Sequence, residues 1–278
     1  VRATSEKVLP ARVVQRPVLR DCLAKGMCAL TDESDVRDAW HRVFQPDDRI
    51  LIKFNRSQAD RIGTTAPLAE ELVTSLTKAG FAPEQLMLLE AEGGSSLLRK
   101  TRPPDVRWQE REISFGRSGA DAFMAAVDEA TAIINVPFLK THHLATMTCC
   151  LKNLSHGLIR RPSRFHGGGC DPAIAEIVAS EPIRSKKILH IVNCLRVVFD
   201  RGSEATEAEI EGYGGLLLAR DGVAADAVGY SILNEIRSKR DLPPLLPDAR
   251  IPRFLATAGR LGLGQWDELE IDQVKLEL

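Results

Sequence analysis

The densest set of reactive side chains in this sequence lies between Ala130 and Cys170. That stretch holds no Asp or Glu, yet it carries Lys140, Lys152, Arg160, Arg161 and Arg164. It also carries four of the six histidines, His142, His143, His156 and His166. Ammonium groups hold negative charge, and imidazoles move protons near neutral pH or ligate metals. The window therefore suits capture of a small anionic ligand, with His142, His166 and Lys152 as candidate catalytic groups. A metal is compatible with the same residues, and His142, His143 and His166 are its candidate ligands. Neighbouring residues point in different directions, so His142 and His143 would need a distant partner such as His166 or a carboxylate to grip one ion. The plain alternative is that one histidine caps a loop and the other is solvated.

The segment Thr146 to Lys152 reads as the first turns of a helix. The unpaired amides of such a turn, together with Thr148 and the lysines, would form a cradle for a carboxylate or phosphate. It is not a Walker loop, because the G-x-x-x-x-G-K pattern is absent. Lys140, Thr148 and Asn153 are thus candidate ligand-binding residues. Lys53 and Asn55 join them, since a lysine inside the apolar run Ile50-Leu-Ile-Lys-Phe54 should emerge only at a sheet edge or in a site. Glu90 or Glu92 would supply an opposing acid. Asp221 reads as the N-cap of a helix starting at Gly222. Asp226, one turn further on, lacks that explanation and is a candidate ligand-binding residue. The run His166-Gly-Gly-Gly-Cys170 would let backbone approach a ligand closely, or let a lid move.

These residues need a scaffold, and its elements are readable. Arg49 to Phe54, Leu86 to Glu90, Ala132 to Pro137, Ile188 to Val192 and Gly215 to Ala219 are near-continuous apolar runs, as in strands buried on both faces. Between them, helices are expected from Thr65 to Ala79, Gly119 to Ala130, Pro172 to Ala179 and Gly222 to Ile236, with Thr65 as a cap. Ser34 would cap a further helix through Trp40. The alternation predicts an α/β fold, a mostly parallel sheet with crossover helices on both faces, and functional groups at the carboxyl ends of strands. Residues 1–278 read as a single α/β domain. Residues 241–278 form a C-terminal appendage, with a helix over Phe254 to Ala258 and a strand over Gln273 to Leu278.

Composition narrows the function classes. The chain has 278 residues, 44% apolar and 27% charged, as in an ordinary globular protein. The net charge of −1 and an aromatic content of 5% make nucleic acid an unlikely partner. No apolar run is long enough to span a bilayer. No signal peptide is visible, and the first residue is Val1, so both cytoplasmic residence and export after loss of an N-terminal signal stay open. Oligomeric state is likewise open. The six cysteines lack paired C-x-x-C clusters, so no iron–sulfur pattern is present, and reduced, mostly buried thiols are expected.

Four ordered motifs resemble a known bacterial family, domain of unknown function 362, over about Asp21 to Leu233. Asp48-Arg-Ile-Leu-Ile-Lys-Phe-Asn55 is similar to its D-x-V-x-I-K-x-N strand. Asn135-Val-Pro-Phe-Leu-Lys-Thr-His142 is similar to N-x-P-x-L-K-x-H, and Thr148-Cys-Cys-Leu-Lys-Asn153 to T-x-x-L-K-N. Asp221-Gly-Val-Ala-Ala-Asp-Ala-Val-Gly229 resembles D-P-V-A-x-D-A-x-G. Asn193 stands where members often carry Asp, and Gly222 where they carry Pro. Many relatives carry an iron–sulfur module, and some are exported with a twin-arginine signal. A fainter similarity links the chain to the N-terminal region of nickel-pincer lactate racemases, where His and Lys follow a strand in a loop that receives a cofactor. The resemblance implies a shared fold and site, not a reaction. The expected function is an enzyme binding a small anionic substrate or a metal or redox cofactor. The alternative is a non-catalytic binder of an anion, metal or cofactor.

Overall fold

The structure is a computed structural model that describes residues 1–91 and 95–278; Glu92 lies outside them. The strands are β1 (Arg2–Thr4), β2 (Ile50–Lys53), β3 (Leu86–Leu89), β4 (Ile113–Ser114), β5 (Ala120–Asp121), β6 (Ala132–Asn135), β7 (Phe138–His142), β8 (Thr146–Thr148), β9 (Lys187–Val198), β10 (Ile210–Ala219) and β11 (Lys275–Glu277). The helices are α1 (Arg16–Thr31), α2 (Val36–Val43), α3 (Ala59–Ile62), α4 (Thr65–Lys78), α5 (Ala125–Glu129), α6 (Cys150–Ser155), α7 (Ala173–Val178), α8 (Gly222–Ser238) and α9 (Arg253–Arg260).

One sheet runs in the order β11-β1-β10-β9-β6-β2-β3, with β7 joined to β9 and β8 to β7. β2 is parallel to β3 and β6, and both β6 and β7 are parallel to β9. β10 and β1 extend the sheet antiparallel. This is the expected α/β class. Successive strand residues point to opposite faces, and both faces are buried. Ile50 and Ile52 pack with α1, α2 and α4 through Leu23, Trp40 and Leu72. Leu51 and Ile133 pack on the other face with α6, α7 and α8 through Leu154, Ile174 and Ile232. Burying each such side chain contributes about 2 kcal/mol, so a continuous apolar run is what a strand covered twice requires. No helix among the described residues is long and apolar enough to cross a membrane.

Several local expectations change. The helix foreseen from Gly119 shrinks to α5, because Ala120 and Asp121 pair with β4. There the buried Asp121 carboxylate meets Arg160 and Arg161. Thr146 to Thr148 is strand, not helix, and pairs with β7. Helix α6 starts only at Cys150. Asp35, not Ser34, caps α2 by accepting from the Arg37 amide at 2.7 Å. Thr65 is the first residue of α4, and Thr64 before it makes no side-chain cap. The run at Ile188 grows to a 12-residue strand, because its upper half pairs with β7 and β10 rather than β6. β11 pairs with β1, and α9 packs on α7 and α8.

Candidate functional site

The carboxyl ends of the parallel strands carry a polar row. Lys53 of β2 is the register partner of Asn135 of β6, which is the partner of His190 of β9. All three are buried. Period-two alternation sends them to the face that α6 covers. Lys53 Nζ donates to Glu90 Oε2 at 2.8 Å, to Asn153 Oδ1 at 3.2 Å and to the Phe54 carbonyl at 2.5 Å. Asn153 Nδ2 donates to Asn135 Oδ1 at 2.8 Å. Asn135 Nδ2 donates to the Cys150 carbonyl at 3.0 Å and meets His190 Nδ1 at 3.0 Å. A carbonyl can only accept, so the amide nitrogen of Asn135 is fixed there. His190 Nδ1 must then accept, and the proton of the neutral ring sits on Nε2. Burial pushes His190 down to about 4, which keeps it neutral. Burial also lowers Lys53, and the Glu90 charge opposes that. Glu90 turns back onto Lys53 through a left-handed backbone, φ 60°. Gly157 leaves the room this needs, since a Cβ there would lie 2.4 Å from the Asn153 carbonyl oxygen and 2.8 Å from Lys53 Nζ.

Beside this row lies a cationic cluster. Lys140 and His142 share one face of β7, and Lys152 comes from α6. Lys140 is 3% exposed and Lys152 6% exposed. Lys140 Nζ donates to the Ser57 carbonyl at 3.1 Å, and Lys152 Nζ lies 3.3 Å from His166 Nε2. Among the described residues, neither forms an ion pair with a carboxylate. Burial pushes both down to about 8; for Lys140 the Lys152 charge adds to it and the Glu90 charge opposes it. His166 Nδ1 donates to the Pro162 carbonyl at 3.0 Å, which leaves Nε2 as an acceptor facing Lys152. His142 stacks on His166 with ring centroids 5.7 Å apart. Its Nδ1 accepts from the Leu144 and Ala145 amides, so its proton sits on Nε2. Burial first, then the Lys152 charge, lowers His142 to about 3.

The structure therefore brings together Lys53 with Asn153, and Lys140 with Lys152, His142 and His166. It leaves other sequence candidates elsewhere. His143 is half-exposed and lies 4.0 Å from Glu204. Asn55 accepts from the Ser57 amide at 2.9 Å, which shapes the turn whose carbonyl holds Lys140. Thr148 is buried as the register partner of Lys140. Asp226 is the clearest correction. Its carboxylate accepts from the Cys150 and Leu151 amides at 2.6 and 3.1 Å. The helix amides foreseen as a cradle for an external anion are thus filled by an internal one. Arg160 and Arg161 are likewise engaged by Glu112 and Asp121.

Sequence reasoning missed Asn135 as the hub of the row, and it missed His190 and Cys170. Asn135 was visible as a polar residue closing an apolar strand, but only register shows that it faces Lys53 and His190. Two groups have metal-ligand chemistry. Ligand atoms of His156, His166 and Cys170 lie within 4.8 Å of one another. His166 anchors Nδ1 on the Pro162 carbonyl and keeps Nε2 free to ligate, whereas His156 has Nε2 3.3 Å from the Phe165 carbonyl and Nδ1 3.1 Å from the Ser155 hydroxyl. Cys149, Cys150 and Asp226 form the second group. It fits a metal poorly, because both Asp226 oxygens are taken by amides and burial pushes the two thiols far up.

The model of the family described as Domain of unknown function (DUF362) matches residues 101–231. This stretch of the chain is similar to that family. It contains Asn135, Lys140, His142, Lys152, Asn153, His166, His190 and Asp226, and it leaves Lys53 and Glu90 outside. No curated protein matches the chain.

Proposed function

We propose that this chain is an enzyme that holds a small anionic substrate between Lys140 and Lys152 and moves a proton through His166. The observation that carries the reading is the pair of lysines. Both are nearly buried, and among the described residues neither forms an ion pair; the Glu90 charge only partly offsets Lys140. Buried charge without an ion pair is costly, and an anionic ligand removes that cost. His166 is oriented for proton transfer, because the Pro162 carbonyl holds its Nδ1–H and leaves the Nε2 lone pair toward Lys152. Abstraction of a proton beside a substrate carboxylate adds negative charge to the substrate as Nε2 gains the proton. The two lysines stabilise that charge where it develops. Asn55, Asn153 and Lys53 hold the surrounding turn and helix in place.

A second reading rests on the His156, His166 and Cys170 group, which supports a binder of a metal ion without turnover. Two measurements separate the readings. Calorimetric titration with small carboxylates and inorganic phosphate should show binding that Lys152→Ala and Lys140→Met abolish. Incubation of the bound carboxylates in D2O should then show deuterium incorporation by NMR that His166→Gln removes. Binding without exchange rejects the enzyme. No anion binding, with cobalt(II) bound and a thiolate charge-transfer band lost in Cys170→Ala, favours the metal binder.

A further inference from the structure

On the same face of the sheet, but away from the lysine and histidine cluster, a cavity of about 310 Å³ opens between α6, the segment leading into β9 and the start of α8. Part of its wall is aliphatic, with Leu151, Leu154, Ile183, Ile188 and Leu263. Arg184, Lys186 and Arg220 also line it, and no acidic residue does among the described ones. Arg184 and Arg220 are exposed, and Arg220 makes only a long contact, 3.4 Å, to the Arg42 carbonyl. Lys186 is held by the Ala130 carbonyl at 2.7 Å, with Asp128 and Glu181 nearby, so the two arginines supply the free charge.

His190 also lines this cavity, and it is 4% exposed. Its Nδ1 accepts from Asn135, so Nε2 carries a proton, and among the described residues that N–H meets no acceptor. The ring lines the cavity, so a ligand there can accept from that N–H. Gly222, which begins α8 and lines the same cavity, lets the ring reach this position. A Cβ there would lie 2.7 Å from Nε2 and 2.6 Å from Cε1. We propose that this cavity is a second binding site, for an organic anion with an aliphatic body. The carboxylate accepts from His190 Nε2–H and sits within reach of Arg184 and Arg220, while its chain lies on Leu151, Ile183 and Leu263. A cavity of this size, part aliphatic and part cationic, suits a small amphiphilic anion.

The test follows the histidine ring resonances of the full chain, labelled on its imidazoles and assigned with His190→Gln and His166→Gln. Millimolar hexanoate should shift the His190 ring saturably. Hexan-1-ol and acetate should do so far more weakly, since one lacks the charge and the other the chain. Arg184→Ala combined with Arg220→Ala, both at exposed positions, should weaken hexanoate by about tenfold or more. His166 reports the lysine cluster separately, so hexanoate that moves only His166 overturns this site without touching the first one. Unchanged His190 resonances overturn the proposal, as does equal affinity for hexanol or indifference to the arginine substitutions.

Discussion

Lys53 and Lys152 are both lysines in apolar surroundings, and their partners separate them. Lys53 has Glu90, Asn153 and the Phe54 carbonyl, so its role is to hold strand ends to α6. Lys53→Met keeps much of the side-chain volume but leaves Asn153 Oδ1 and the Phe54 carbonyl unmet. It should cost about 1–3 kcal/mol in denaturant unfolding, and a neutral result would show that water replaces the ammonium. Lys152→Met, by contrast, removes a charge that no carboxylate balances. It should leave stability unchanged or raise it while anion binding is lost. Gly157→Ala should cost about 1–3 kcal/mol, because its Cβ meets the rigid Asn153 carbonyl at 2.4 Å and the far end of Lys53. The lysines stood out in the sequence as charges in apolar runs. Which of them had a carboxylate was not legible, since Glu90 is 37 residues from Lys53 and reaches it only through parallel pairing.

At the scale of elements, α6 is short, and its first turn depends on a side chain from another helix. Asp226 of α8 caps it from 75 residues away. Asp226→Asn places an NH2 against one of the two backbone N–H groups and should cost about 1–3 kcal/mol at pH 7 by chemical denaturation. Because α6 carries Lys152 and Asn153, the same variant should weaken anion binding. Unchanged affinity would mean that the helix start does not position the lysine. Burial raises Asp226 to about 6. Its contribution therefore declines as pH rises from about 4 to 6, and the Asn variant lacks that trend. The helix at this position was expected four residues early. The β-branched Thr146 and Thr148 favour strand, and pairing with β7 overrides a helical reading of the segment.

Across the whole molecule, the buried histidines set the response to acid. Burial lowers His142 to about 3, His156 to about 2 and His190 to about 4, each from 6.5. Between pH 6.5 and 4 the unfolded chain takes up these protons and the native chain does not, so stability falls as pH falls. Asp226 acts in the opposite sense. His166 is lowered in the same direction, so the imidazoles outnumber this carboxylate and stability rises from pH 4 toward 6.5. His190→Gln should flatten the measured stability curve in that window, and an unchanged slope would place the ring in contact with solvent.

The sequence by itself determined the class of fold and the region where chemistry is concentrated. Continuous apolar runs such as Ile50 to Ile52 are stable only when covered on both faces, and an acid-free stretch rich in lysine and histidine announces itself without coordinates. The tertiary structure alone decided which charges remain unbalanced. Asp121 engages Arg160 and Arg161, Glu90 engages Lys53, and Asp226 fills the amides at the start of α6. Each of those partners lies outside the acid-free window and arrives through sheet register or helix packing, so Lys140 and Lys152 are the buried lysines of that window left without an ion pair among the described residues. The same register turns His190 away from that cluster and into a cavity of its own.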